Sequence, residues 1–186
     1  MLLISPERTM IHQSEPDVLA SPPAFLLARY GSIPQVARFS AEADFERGSQ
    51  VVCETDRGIE VAEVLQQVRS MASTGEGDVT GKVLRLASDS DLQQLATQRQ
   101  QGEAAFADWL SRIVEWQLQL ELIDLEQTLD GRLILYVLNE RGAETTRLAL
   151  LAAARGLGIV QVQPVGPEGI ISGDTGGGCG SCGCGH

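Results

Sequence analysis

Asp130-Gly131 is the feature that most restricts what this chain can fold into. An Asp-Gly pair between apolar stretches favours a tight turn with positive φ, and that makes the flanking segments antiparallel neighbours. Behind it, Leu133-Ile-Leu-Tyr-Val-Leu138 is a continuous apolar run suited to a central strand. Ahead of it, Leu118, Leu120 and Leu122 alternate with Gln119 and Glu121, the pattern of a half-buried strand, with a register shift at Ile123.

Helices are expected on either side of this hairpin. Ser90 followed three residues later by Gln93 fits a capping box, and Leu92, Leu95 and Ala96 begin a helical stripe. Gly102 is expected to break or bend that helix, after which Phe106, Leu110, Ile113 and Val114 resume the stripe. Trp109 and Trp116 lie beside it and read as core rather than as a box for a flat ligand. After the hairpin, residues 143–155 are rich in Ala and Leu and stop at Gly156, a helix with a glycine C-cap, and residues 159–163 form a last strand before Pro164.

The earlier half is β-like. Residues 24–29 and 34–39 flank Tyr30-Gly-Ser, residues 49–55 and 59–68 flank Asp56-Arg57-Gly58, and residues 82–86 form a further short strand. The predicted class is α+β: a small twisted antiparallel sheet or open barrel, then a helix-hairpin-helix-strand half. Residues 1–22, with Pro6, Pro16 and Pro22, read as a flexible N-terminal arm, residues 23–166 as one domain and residues 167–186 as a Gly/Cys-rich tail.

Charge narrows the functions. Across 186 residues, 14 Lys and Arg stand against 25 Asp and Glu, a net charge of -11, which works against sequence-independent phosphate binding. Direct nucleic-acid contact is therefore not expected. Lys82 is the only lysine, so there is no polybasic membrane anchor, and no apolar run approaches the roughly 20 residues of a bilayer span. The start has no basic leader-like stretch, so the cytoplasm is the expected compartment. The two imidazoles, His12 and His186, lie in the terminal segments, which leaves no Ser-His-Asp or Cys-His site within the domain, and neither a Walker loop nor a dinucleotide glycine fingerprint is present.

Three stretches resemble the bacterial YaaT/RicT family, built on the polymerase-suppressor-protein (PSP-type) C-terminal domain. They are Val51-Val-Cys-Glu-Thr-Asp-Arg-Gly-Ile-Glu-Val-Ala-Glu-Val64, Val83-Leu-Arg-Leu-Ala-Ser-Asp-Ser-Asp-Leu92, and Leu120-Glu-Leu-Ile-Asp-Leu-Glu-Gln-Thr-Leu-Asp-Gly-Arg-Leu-Ile-Leu-Tyr136. The resemblance runs over about Ala24 to Gly166 and is most specific in the first stretch. It implies a non-enzymatic cytoplasmic protein that acts with protein partners in RNA processing, in a complex associated with iron-sulfur clusters. The chain departs from the family after its last strand, where Gly166-Pro-Glu-Gly-Ile-Ile replaces an Arg-Asp-Glu-Ala-Lys-like stretch and a later Cys-Gly-x-x-x-Cys-Cys signature.

The tail offers Cys179, Cys182, Cys184 and His186, three thiols and an imidazole separated by glycines that let a short chain wrap a metal. An iron-sulfur cluster or zinc is the expected occupant, and a copper- or zinc-handling protein is the alternative function. Cys53, in the middle of a strand, reads as a small core hydrophobe. Asp174-Thr175-Gly176 matches the aspartic-protease triplet only by chance, since that chemistry needs a rigid, buried pair of aspartates. Glu54, Asp56, Glu60 and Glu63 read as a solvated face with Arg57 balancing them. Arg57, Gly58, Glu60 and Glu63 together are a candidate partner-binding surface.

Overall fold

The computed structural model describes residues 24–68, 79–138 and 142–171. Five strands form a closed barrel in the order β1-β2-β5-β3-β4: β1 (Ala24–Tyr30), β2 (Gln35–Ala41), β3 (Gln50–Thr55), β4 (Ile59–Val68) and β5 (Val79–Leu86). This is the small twisted sheet or barrel expected from the sequence, and it closes through a β2–β5 pair that runs parallel. The condition of closure is Gly81. A Cβ there would run into the carbonyl oxygen of Glu54, with the carbonyl carbon at 3.1 Å, so only glycine lets β5 lie this close to β3. Inward residues such as Leu26, Phe39, Val51, Cys53 and Val64 fill the barrel, and Tyr30 meets Phe39 edge to face at 5.5 Å.

The second half is helix, hairpin, helix, strand, as the periodicity predicts. Helix α1 (Asp89–Glu115) leads into β6 (Glu121–Gln127) and β7 (Leu133–Leu138), followed by α2 (Ala143–Ala154), β8 (Val160–Gly166) and the short β9 (Gly169–Ile170). The sheet order is β6-β7-β8-β9. Trp109, Ile113, Trp116, Leu125, Leu135 and Leu148 meet in its core, so the two tryptophans do pack inward. The register shift of β6 falls between Leu122 and Asp124, with Ile123 as the extra residue.

Several boundaries move. The capping box of α1 is Ser88 with Asp91, not Ser90 with Gln93: the Asp91 N–H donates to Ser88 Oγ, while Asp91 takes the Ser88 N–H at 2.7 Å and is braced by Arg85. Gly102 does not interrupt α1. It is buried where a Cβ would lie 3.1 Å from Leu125 Cδ1, so glycine serves the approach of helix to sheet. The alternation from Leu118 does not extend the strand backwards. Gln117 takes a left-handed φ of 54°, its N–H donates to Val114 and that of Leu118 to Ile113, a helix stop that occupies these residues. Gly156, with φ 74°, ends α2 as predicted.

Pro164 does not end the last strand. Residues 167–171, read as the start of the tail, turn back so that β9 pairs with β8. The arm of residues 1–22 and the tail cysteines lie outside the described residues. No helix among the described residues is long and apolar enough to cross a membrane.

Candidate functional site

The barrel and the helix-sheet half each have their own apolar core, and a polar junction joins them. It is built on the β3–β4 turn, Thr55 to Glu60. The Thr55 N–H donates to Gly58 O at 2.9 Å, and Gly58 adopts φ 142°, where a side chain is strained. Thr55 Oγ1 accepts the Arg57 N–H at 3.1 Å and donates to Glu60 Oε2 at 2.7 Å. This local scaffold turns the Arg57 side chain inward.

Arg57 is 3% exposed. Its Nε donates to Glu60 Oε2 at 3.3 Å and its Nη2 to both Glu60 and Glu126, while Nη1 donates to the Tyr136 hydroxyl at 2.7 Å. That hydroxyl donates in turn to Glu126 Oε1 at 2.7 Å, and the Ser32 N–H donates to the other oxygen of Glu126. The guanidinium also lies over the Tyr30 ring, 5.2 Å from its centroid. One cation thus holds two carboxylates, Glu60 from the barrel and Glu126 from the sheet.

The electrostatics follow from burial. Desolvation works against the charge on Arg57, but Glu60 and Glu126 hold it protonated, above the ordinary arginine value. Burial pushes the Glu60 carboxyl up, against the donors Arg57 and Thr55 that favour its charge. Burial also raises Tyr30 to about 12 and lifts Tyr136 further, Glu126 adding to the latter, so both hydroxyls stay protonated at neutral pH.

A second clasp comes from the Asp130-Gly131 hairpin. Asp130 Oδ1 accepts the Ile59 N–H at 3.0 Å and the Thr128 hydroxyl at 2.6 Å, and the Leu129 N–H donates to Ile59 O at 2.8 Å. Burial opposes its charge, yet these donors together with Arg132 hold the Asp130 carboxyl below the usual range. A Cβ on Gly58 would lie 2.6 Å from Asp130 Oδ1, so glycine is needed here for docking as well as for the turn. Beside the junction opens a cleft of about 210 Å³, with Leu95, Leu125 and Leu129 as apolar walls and Glu60, Asp124, Glu126 and Arg99 as polar ones.

The predicted partner surface is thereby divided. Arg57 and Glu60 are buried between the two halves, so they cannot meet a partner directly; the desolvation of a charged pair is tolerated because each charge is matched inside. Gly58 is buried under Asp130. Glu63 alone stays at the surface, paired with Arg29 at 2.5 Å. Glu54 pairs with Lys82 at 2.9 Å, and no group of three His, Cys, Asp or Glu among the described residues is placed to hold a metal ion. Cys53 is fully buried, and burial pushes its thiol up to about 12, in keeping with a packing role. The sequence reading passed over Glu126, Tyr136 and Asp130. Asp130 had a signal in its turn motif, whereas Glu126 and Tyr136 are picked out only by their distance to Arg57.

The comparisons with known proteins fall on this same construction. Residues 81–142 match the PSP1 C-terminal conserved region. The matched residues take in most of β5 and all of α1, β6 and β7, and with them Glu126, Asp130 and Tyr136; Arg57, in the stretch that resembles the family most specifically, lies outside them. Stage 0 sporulation protein YaaT of Bacillus subtilis (strain 168) is 31% identical over 100 residues, 52% of this chain. The match spans 35% of that protein's length. No solved structure matches the chain significantly.

Proposed function

We propose that the chain is a regulatory adaptor of the cytoplasm that works through protein partners in RNA processing or regulation and does no chemistry of its own. The observation that carries this reading is the junction: the PSP1 region spends its buried titratable groups on gripping the barrel. Arg57, Glu60, Glu126 and Tyr136 satisfy one another, and the hydroxyls and the Cys53 thiol are pushed away from neutral pKa values, the reverse of what acid-base or nucleophilic catalysis requires. Likeness to a sporulation protein supports a regulatory setting.

Within this reading the tail residues Cys179, Cys182, Cys184 and His186 hold a metal or an iron-sulfur centre that modulates assembly. They are the ligand set the chain itself offers, because the remaining cysteine, Cys53, is sealed in the barrel.

The test is isolation of the tagged chain from its own cells under anaerobic conditions, with partner stoichiometry, iron, zinc, copper and acid-labile sulfide measured, and the Cys→Ser tail variants alongside. Stoichiometric protein partners, with iron and sulfide lost on tail substitution, are the expected result. Zinc or copper without sulfide would favour metal handling instead. A partnerless chain that turns over substrate and loses turnover on one substitution within the domain would end the adaptor reading.

A further inference from the structure

Strand β6 is an edge of its sheet. The Thr128 N–H donates to Arg132 O at 2.9 Å, so Thr128 and, by alternation, Glu126 turn their backbone groups towards β7, while those of Leu125 and Gln127 point outward. Among the described residues nothing bonds the outward N–H or C=O of Gln127. Such unpaired groups are a template for one more strand.

Helix α1 runs along this edge in the opposite direction. Gln94 Nε2 donates to Leu129 O at 2.8 Å, Gln98 Nε2 donates to Thr128 O at 2.9 Å, and Gly102 lies against Leu125. The residues that follow these three on the helix, Leu95, Arg99 and Glu103, line the cleft of about 210 Å³ together with residues 124–129 of the edge. The cleft therefore has an apolar end, Leu95 with Leu129, and an acidic end, Glu103 with Asp124. Its acids are under-matched. Among the described residues the Asp124 carboxylate takes only the Leu125 N–H, at 2.8 Å, and Glu103 reaches Arg99 only at 3.9 Å, while Glu60 and Glu126 share the one guanidinium of Arg57.

We propose that this cleft docks an extended segment of a protein partner, added to the outer edge of β6 with an apolar side chain at the Leu95 end and a lysine or arginine at the Asp124 end. Strand addition draws its affinity from the backbone and its specificity from alternate side chains that enter pockets. In an extended segment those alternate side chains share one side and stand about 7 Å apart. The excess of carboxylates selects a cation for one of them, and Leu95, 38% exposed, an apolar group for the other. Antiparallel addition gives the more stable ladder, so the apolar residue precedes the basic one with a single residue between them. That the segment belongs to a protein partner rests on the adaptor reading.

The capped peptide Thr-Leu-Thr-Lys-Thr, titrated into the full chain and followed by nuclear magnetic resonance of the backbone amides, tests the cleft. Saturable shifts at Leu95, Gln127 and Leu129 are expected, with binding about tenfold weaker when glutamate replaces the lysine of the peptide. Asp124→Asn should weaken the lysine peptide by about threefold and leave a norleucine counterpart unchanged. Shifts that do not saturate or that spare Gln127 would overturn the proposal, as would equal binding of the lysine and glutamate peptides. Peptide binding that fails while stoichiometric partners still co-isolate with the chain overturns the docking site and leaves the adaptor reading standing. A chain isolated without partners ends that reading and the partner assignment with it.

Discussion

Replacing Arg57 by Met tests whether the junction is held by charge. The methionine keeps the apolar stem but leaves Glu60, with a side chain 6% exposed, and Glu126, 16% exposed, without their shared cation. Breaking a buried pair by removing one partner costs about 3–5 kcal/mol, against a total stability of about 5–15 kcal/mol. For a chain of this size that lowers Tm by roughly 6–20 °C. Burial already raises the Glu60 pKa, and losing Arg57 raises it further. A carboxyl whose folded pKa lies above its unfolded value destabilises the fold as it ionises. The deficit is therefore largest above that folded pKa and shrinks as pH falls through it. Urea titrations followed by fluorescence of Trp109 and Trp116, which report the helix-sheet core, and by far-UV circular dichroism measure both the loss and whether the halves still unfold together. The triple variant Arg57→Met, Glu60→Gln, Glu126→Gln removes the stranded charges and should recover much of the loss. A single variant within 1 kcal/mol of the parent, or a deficit that grows towards acid pH, would refute the argument.

Three further outcomes are expected. Gly81→Ala drives a methyl into the Glu54 carbonyl and should cost about 1–3 kcal/mol by thermal unfolding, since overpacking against backbone cannot be relieved by a rotamer; an unchanged Tm would show that the β3–β5 approach is looser than described. Asp91, held down by Arg85 and Ser88, and Asp130, held down by Thr128 and the Ile59 N–H against its burial, have folded pKa values below their unfolded ones, so their contribution is present above about pH 4 and is lost as pH falls; Tm against pH should drop there, and Asp130→Asn should flatten part of that drop. The Cys53 thiol, buried and raised to about 12, should resist alkylation at pH 8 in the native chain and label only on unfolding, as peptide mass mapping would show.

Much of the local structure was legible before any coordinates. Asp130-Gly131 marked its hairpin, Gly156 its helix end and Ile123 the slip in β6, because each depends on backbone conformations or periodicities that neighbouring residues set. Gly102 was misread for an equally physical reason: propensity treats glycine as a weak point in a helix, whereas here the missing Cβ admits Leu125. Arg57 shows the same limit at the site. Its turn was visible in Asp56-Arg57-Gly58, but an arginine beside four acids reads as a solvated charge when its distant partners are unknown.

What the chain carries in its order of residues alone is the α+β class, the two hairpins, the helical stripes and the likeness to the PSP1 region. Tertiary structure alone decided that the barrel closes through a parallel β2–β5 pair, that Glu126 and Tyr136 reach across to Arg57, and that Asp130 takes the Ile59 N–H in the space Gly58 leaves open. The reason is range. Turns, caps and strand periods are set within a few residues, while a buried ion pair 69 residues apart in sequence exists only once two separately cored halves have met.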